Sequence, residues 1–316
     1  MLQERPPDTV VLRARDGRLM FSNVMQHTLA GTAVCAGVGV HNGLHVRVVI
    51  RPAPVGAGVV FVRTDVTDRD NRIPVTPSAV GRTQLNTEIV NDAGVSVSTI
   101  EHLMAALAAL EIDNVIVEID GPETPIMDGS ALPFVQLLDR AGRRSQEVSR
   151  HYIEIVEPVE VIDGDKRAAL LPCDRFEVGF EIAFNSAAIG RQAVDLEVTE
   201  ASFRRDLAAA RTFGFLHEVE ALRAMGLARG GSMENAVVLD GDTILNPEGL
   251  RMEREFVRHK ALDAIGDLYV LGAPLIGRFE GRYAGHALNN RLVRALVARP
   301  DAWRIVSFDQ QLAEAV

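Results

Sequence analysis

The segment VRHKALDAIGD, residues 257–267, carries the most informative spacing in the chain. Residues four apart on a helix lie above one another, so His259, Asp263 and Asp267 form one stripe. An imidazole and a carboxylate stacked in this way offer two donors to one metal ion. Ala261, Leu262, Ala264 and Ile265 make the segment largely apolar, and an unpaired buried carboxylate there would be costly. A second segment, STIEHLMAAL at 98–107, puts Glu101 and His102 at the start of another helix. Together they read as a two-histidine, one-aspartate hydrolytic metal site with Glu101 as base.

Each residue also has a plainer explanation. Ser98 and Glu101 fit a capping box, in which the carboxylate only closes the helix start. His259 and Asp263 could be a satisfied core pair. Asp267 adds a third polar group to the stripe, and His286 follows in GHALNN at 285–290. An aspartate orienting a histidine that acts as general acid is one use of such a pair. Thr212, in RTFGF at 211–215, reads either as a strand edge beside core phenylalanines or as a donor to an oxyanion. Phe213 beside it could stack on a sugar face. Gly230 and Gly231 fit a plain turn or a phosphate cradle.

These residues need elements to hold them. Strands are expected near 34–38, 44–51, 59–63, 115–119, 152–156, 159–162, 168–171, 177–182 and 236–240. Helices are expected at 98–110, 132–142, 200–210, 217–225, 253–267 and from 286 to 298. Ser130 and Gly142 are the expected caps of the second helix. The run RRSQEVSR at 143–150 has no apolar periodicity and reads as a solvated linker between domains. The two halves echo each other, with a histidine-bearing helix, an apolar strand and another helix in each. Their packing would present His102 and His259 to one another across a seam. The expected organisation is a disordered extension over 1–22, a domain over 23–148 and a second over 149–306.

A chain of 316 residues has room for about two domains. Its net charge of -10 argues against nucleic acid or an anionic membrane as partner. The longest helical apolar run, Leu103 to Leu110, is too short to span a bilayer, and no signal peptide is evident. Cys35 and Cys173 lack metal-type spacing and read as buried thiols of a reducing compartment, so the cytoplasm is expected; a monomer is the expected state.

GVGVHNG at 37–43, STIEHLMAAL at 98–107, PIMDGSA at 125–131, RTFGF at 211–215, VRHKALDAIGDL at 257–268 and GHALNN at 285–290 occur in this order. With them the chain resembles the UDP-3-O-acyl-N-acetylglucosamine deacetylase family, zinc amidases of early lipid A biosynthesis, over residues 22–306. The resemblance implies an α+β fold of two similar β–α–α–β domains, each with an insert. The second insert, about 213–238, would wall a passage for the acyl chain. It implies His102, His259 and Asp263 as Zn2+ ligands, with Fe2+ as the alternative metal. Glu101 would be the base, His286 the acid or electrostatic partner oriented by Asp267, and Thr212 the oxyanion donor. Lys260 would meet a substrate phosphate, Phe213 the glucosamine ring, and His41 and Lys166 the diphosphate of the acylated UDP-sugar. Two rivals share this ligand pattern or cavity: a non-haem iron oxygenase and a catalytically silent module binding a UDP-sugar or acyl chain.

Overall fold

In the computed structural model, which describes residues 10–12 and 25–308, the alternating segment near residue 45 is the strand His45–Pro52. Val46, Val48 and Ile50 enter the core, while His45, Arg47 and Arg51 stay exposed, the period of two that a half-buried strand requires. It lies second in a five-stranded sheet ordered Ala33–Val38, His45–Pro52, Val115–Ile119, Val59–Arg63, Arg72–Pro74. The pairs are antiparallel except that joining Val59–Arg63 to Val115–Ile119.

A second, eight-stranded sheet is built mainly from the later half of the chain. Its main path runs Val10–Leu12, Trp303–Phe308, His151–Ile155, Leu275–Arg282, Lys166–Leu171, Val159–Asp163. Phe176–Ala183 also pairs with Leu275–Arg282, and Arg191–Glu197 lies beyond it. Among the described residues the helices are α1 (Glu101–Ala109), α2 (Leu132–Ala141), α3 (Glu200–Asp206), α4 (Leu216–Ala224), α5 (Glu255–Leu268) and α6 (His286–Val297).

The fold is α+β. Helix α2 rests on Ala33–Val38, α5 on Phe176–Ala183 and Arg191–Glu197, and α6 on Val159–Asp163 and Lys166–Leu171. Helix α1 packs on α2 and on α5, which joins the two halves. Every α1 residue except Ala108 is buried, as suits a helix apolar nearly all round. The contact between α1 and α5 is made possible by Gly266. A Cβ there would lie 2.0 Å from the Glu101 carbonyl oxygen, so any side chain would force the two helices apart.

Several expectations are corrected. Residues 143–149 are not a linker: Arg143–Ser149 is a strand, antiparallel to Met25–Leu29. Arg150 at its end is buried, with its Nε donating to Asp113 at 2.7 Å. Within the supposed extension, Val10–Leu12 pairs in parallel with Trp303–Phe308; the remainder of 1–22 lies outside the described residues. Gly142 does stop α2 with a left-handed φ of 72°, but Ser130 is not its N-cap: that position is Ala131. Both cysteines are half-buried rather than buried, and neither forms a disulfide.

Candidate metal centre and active site

His102 sits in the first turn of α1, and His259 and Asp263 lie one turn apart on α5. The helix contact brings the two imidazoles edge to face with ring centroids 5.0 Å apart. Asp263 Oδ1 lies 3.4 Å from His102 Nε2 and 3.3 Å from His259 Nε2. Tetrahedral ligands about 2.0–2.1 Å from a metal are separated from one another by about 3.3 Å, so these edges match. All three residues are buried, and Oδ1 has no hydrogen-bond partner. A buried carboxylate oxygen left bare costs free energy, and a cation in the triangle would remove that cost. The residues fit a divalent metal.

The surroundings prepare the ligands. His259 Nδ1 lies 3.0 Å from the Ala210 carbonyl oxygen; donating there commits Nε2 to the triangle as a neutral lone pair. Burial drives the His259 pKa down to about 3, which keeps that lone pair free of a proton. Burial alone would raise the Asp263 carboxyl, but the Lys260 ammonium against it holds it well below the usual range. The Lys260 ammonium donates to Asp263 Oδ2 at 2.9 Å, leaving Oδ1 for the triangle.

Glu101 and His286 face one another beside this triangle, with Glu101 Oε1 3.9 Å from His286 Nε2. Glu101 is not part of a capping box: α1 has no side-chain cap, and the carboxylate Oε2 accepts the Thr87 N–H at 3.1 Å. Burial pushes its pKa up, partly offset by His286 and His102, the direction that makes a carboxylate a better proton acceptor. His286 opens α6, where the helix dipole disfavours a cation, and burial acts in the same sense. Asp267, 2.9 Å from Nδ1, and Glu101 outweigh burial and lift the imidazole to about 9. Both groups are raised, the carboxyl by burial and the imidazole by its carboxylate neighbours, so a proton acceptor and a charged proton donor stand side by side.

A cavity of about 860 Å3 opens onto this centre. His41, Lys166, Thr212, Phe213 and Lys260 line it together with Glu101, His102, His259, Asp263 and His286, whereas Asp267 stands behind His286. Thr212 is fixed on both sides of its peptide, donating N–H to Gly129 O and accepting from Val237 N–H, each at 2.8 Å. Phe213 is half-buried and packs on Phe256 with centroids 4.9 Å apart, while the Lys260 ammonium lies 5.8 Å from its ring centre. Gly230 and Gly231 do not cradle a phosphate. Their amides donate to Val40 O and Ala228 O; the Gly230 bond and the Arg229 N–H donating to His41 O pin the segment after α4 to the GVGVHNG loop. A second cavity, about 610 Å3 and lined by Ala109, Arg150 and Leu268, lies towards the other ends of α1 and α5 and contains none of these groups.

Residues that sequence reasoning passed over complete the site. Asn289 donates to Asp267 Oδ2 at 2.9 Å; its position three residues after His286, on the same helix face, was the available signal. Thr87 donates its hydroxyl to Asp267 Oδ1 at 2.6 Å from a loop 180 residues away, and no local pattern marks it. Buried Glu123 accepts from the His41 and Asn42 amides, both at 2.9 Å, and from the Thr99 hydroxyl at 3.0 Å. It therefore ties the GVGVHNG loop to the start of α1.

The profile of the family described as UDP-3-O-acyl N-acetylglycosamine deacetylase matches residues 26–298. The chain belongs to this deacetylase family. A protein of Phenylobacterium zucineum called UDP-3-O-acyl-N-acetylglucosamine deacetylase is 70% identical over 293 residues, which are 93% of this chain and 100% of that protein. Its namesake in Shewanella frigidimarina is 51% identical over 290 residues, 91% of this chain and 94% of the relative. A third, from Shewanella oneidensis, has the same identity and coverage. No helix among the described residues of this deacetylase-family chain is long and apolar enough to cross a membrane.

Proposed function

We propose that this chain hydrolyses the N-acetyl group of UDP-3-O-(3-hydroxyacyl)-N-acetylglucosamine, releasing acetate and the free amine, as a zinc-dependent step of lipid A biosynthesis. The observation that carries the reading is the bare Asp263 Oδ1 between two imidazole nitrogens, flanked by the buried Glu101 carboxyl and the buried His286 imidazole. His102, His259 and Asp263 would hold Zn2+, with Fe2+ compatible with the same donors. When bound, such an ion polarises the acyl oxygen and lowers the pKa of water towards about 7.

The chain's own groups do the rest. Glu101 Oε1 takes a proton from water as its oxygen bonds to the acetyl carbon. Thr212 donates its hydroxyl to the oxygen that gains negative charge, a contact of the kind worth about 3 kcal/mol. As the C–N bond breaks, His286 Nε2 gives its proton to the departing nitrogen. The proton left on the new acid passes to solvent as acetate leaves as the carboxylate, and the proton held by Glu101 returns to His286, 3.9 Å away. Asp267 keeps the imidazole charged until then. Lys166 and His41 lie where they could meet a diphosphate, the remaining Lys260 donors reach towards a phosphate, and Phe213 offers its ring to the sugar. Leu216, Val219, Leu222, Ala236 and Val238, all within 213–238, give the cavity an apolar wall suited to the acyl chain. Two unpaired cysteines fit a reducing compartment, the cytoplasm.

Metal analysis combined with an acetate-release assay under anaerobic conditions tests this. Stoichiometric zinc with acetate release from the acylated UDP-sugar is expected. Activity that requires dioxygen and iron would instead support an oxygenase, and tight sugar binding without acetate would support a silent module.

A further inference from the structure

Thr87 is held by both halves of the molecule. Its main chain is bound to the start of α1, with its N–H donating to Glu101 Oε2 at 3.1 Å and its carbonyl accepting from Ile100 N–H at 3.3 Å. Its side chain reaches α5, where the hydroxyl meets Asp267 Oδ1 at 2.6 Å. The residue is buried, so water does not compete for these bonds. A carboxylate can only accept, so the hydroxyl must be the donor.

We infer that Thr87 is a positioning residue for the deacetylation proposed above, holding the base and the acid in one register across the seam. The two carboxylates it touches have separate tasks. Its N–H occupies Oε2 of Glu101, which leaves Oε1 directed towards His286 Nε2. Its hydroxyl, with the Asn289 amide on the other oxygen, stops the Asp267 carboxylate from rotating. His286 Nδ1 is 3.1 Å from one Asp267 oxygen and 2.9 Å from the other, so a turn of that carboxylate turns the imidazole with it. Glu101 belongs to α1 and Asp267 to α5, and Thr87 bonds directly to both. The N–H survives in any ordinary substitution, so side-chain variants isolate the hydroxyl.

The test uses the full metal-loaded chain with Thr87→Val, which keeps the branched shape, and Thr87→Ser, which keeps the hydroxyl. Valine is expected to lower kcat about tenfold or more, the scale of one hydrogen bond to a charged group, with KM within about twofold and metal content unchanged. Serine is expected to restore most of kcat. Wild-type kcat in the valine variant would overturn the inference, and so would a fall that serine does not rescue or that follows loss of metal. Acetate release by the wild type is measured alongside, so failure of the deacetylase reading is seen separately. A crystal structure of Thr87→Val reads the positioning without turnover: a rotated Asp267 with a changed Glu101–His286 spacing supports it, and an unmoved pair refutes it.

Discussion

Replacing Gly266 with alanine tests whether the closeness of α1 and α5 sets the metal geometry. The new Cβ would lie 2.0 Å from the Glu101 carbonyl oxygen and 2.8 Å from its carbon. Ordinary contact begins at 3.4 Å, so about 1.4 Å of separation is demanded (3.4 less 2.0). The opposing atoms are main chain, and no rotamer change can relieve them. Helix propensity taken alone predicts a gain of about 1 kcal/mol for glycine to alanine, whereas overpacking costs about 1–3 kcal/mol; an unyielding contact puts the result at the upper end, a net loss. The displacement falls unevenly on the site. The His259–Asp263 edge lies within α5 and survives, while the 3.4 Å edge from His102 to Asp263 opens. Metal affinity should fall about ten- to a hundredfold, as when ligand support is lost, and turnover by about a hundredfold. Chelator competition, thermal unfolding with and without zinc, and acetate release measure these effects. A Gly266→Ala protein that is more stable and binds metal as before would refute the reasoning.

Glu101→Ala should retain its metal while turnover falls about a hundredfold or more; unchanged turnover with a loaded site would remove Glu101 from the chemistry. His286 is charged below its raised pKa of about 9, so activity should be lost as pH rises towards that value. A bound cation opposes the charge and moves the limb lower. Asp267→Asn should shift it lower still, and a limb unmoved by that change would argue against His286. The same pairing stabilises the fold fully below about pH 6.5 and is lost by about 9, which pH-dependent melting of the metal-free chain can follow. Removing metal by chelation should lower the unfolding midpoint, with zinc at a hundred times its Kd restoring about 2.7 kcal/mol. A midpoint indifferent to both would mean that the triangle holds no ion.

How much of this could be read beforehand depended on whether the signal was local. His259, Asp263 and Asp267 were legible because one helix carries all three at intervals of four. The meeting of His102 with His259 was suggested by the echo between the halves and by the family resemblance, and depends on Gly266, whose missing Cβ lets the two helices close up. Thr87 and Glu123 left no local pattern, since their partners come from distant segments. The strand Arg143–Ser149 was missed for another reason: it is exposed along most of its length, so it has no buried face to impose a period of two. Arg191–Glu197 alternates only between exposed and half-buried positions, too weak a contrast to stand out in the sequence.

The attachment of the segment after α4 to the GVGVHNG loop runs through peptide groups, Arg229 N–H to His41 O and Gly230 N–H to Val40 O, with no side chain in the bond. Leu222 and Val219 can therefore be exchanged for larger or smaller residues while the wall keeps its anchorage and the ligands on α1 and α5 keep their geometry. On the proposed reading, the length of lipid accepted can therefore be retuned at these two positions without moving the contact between the two helices.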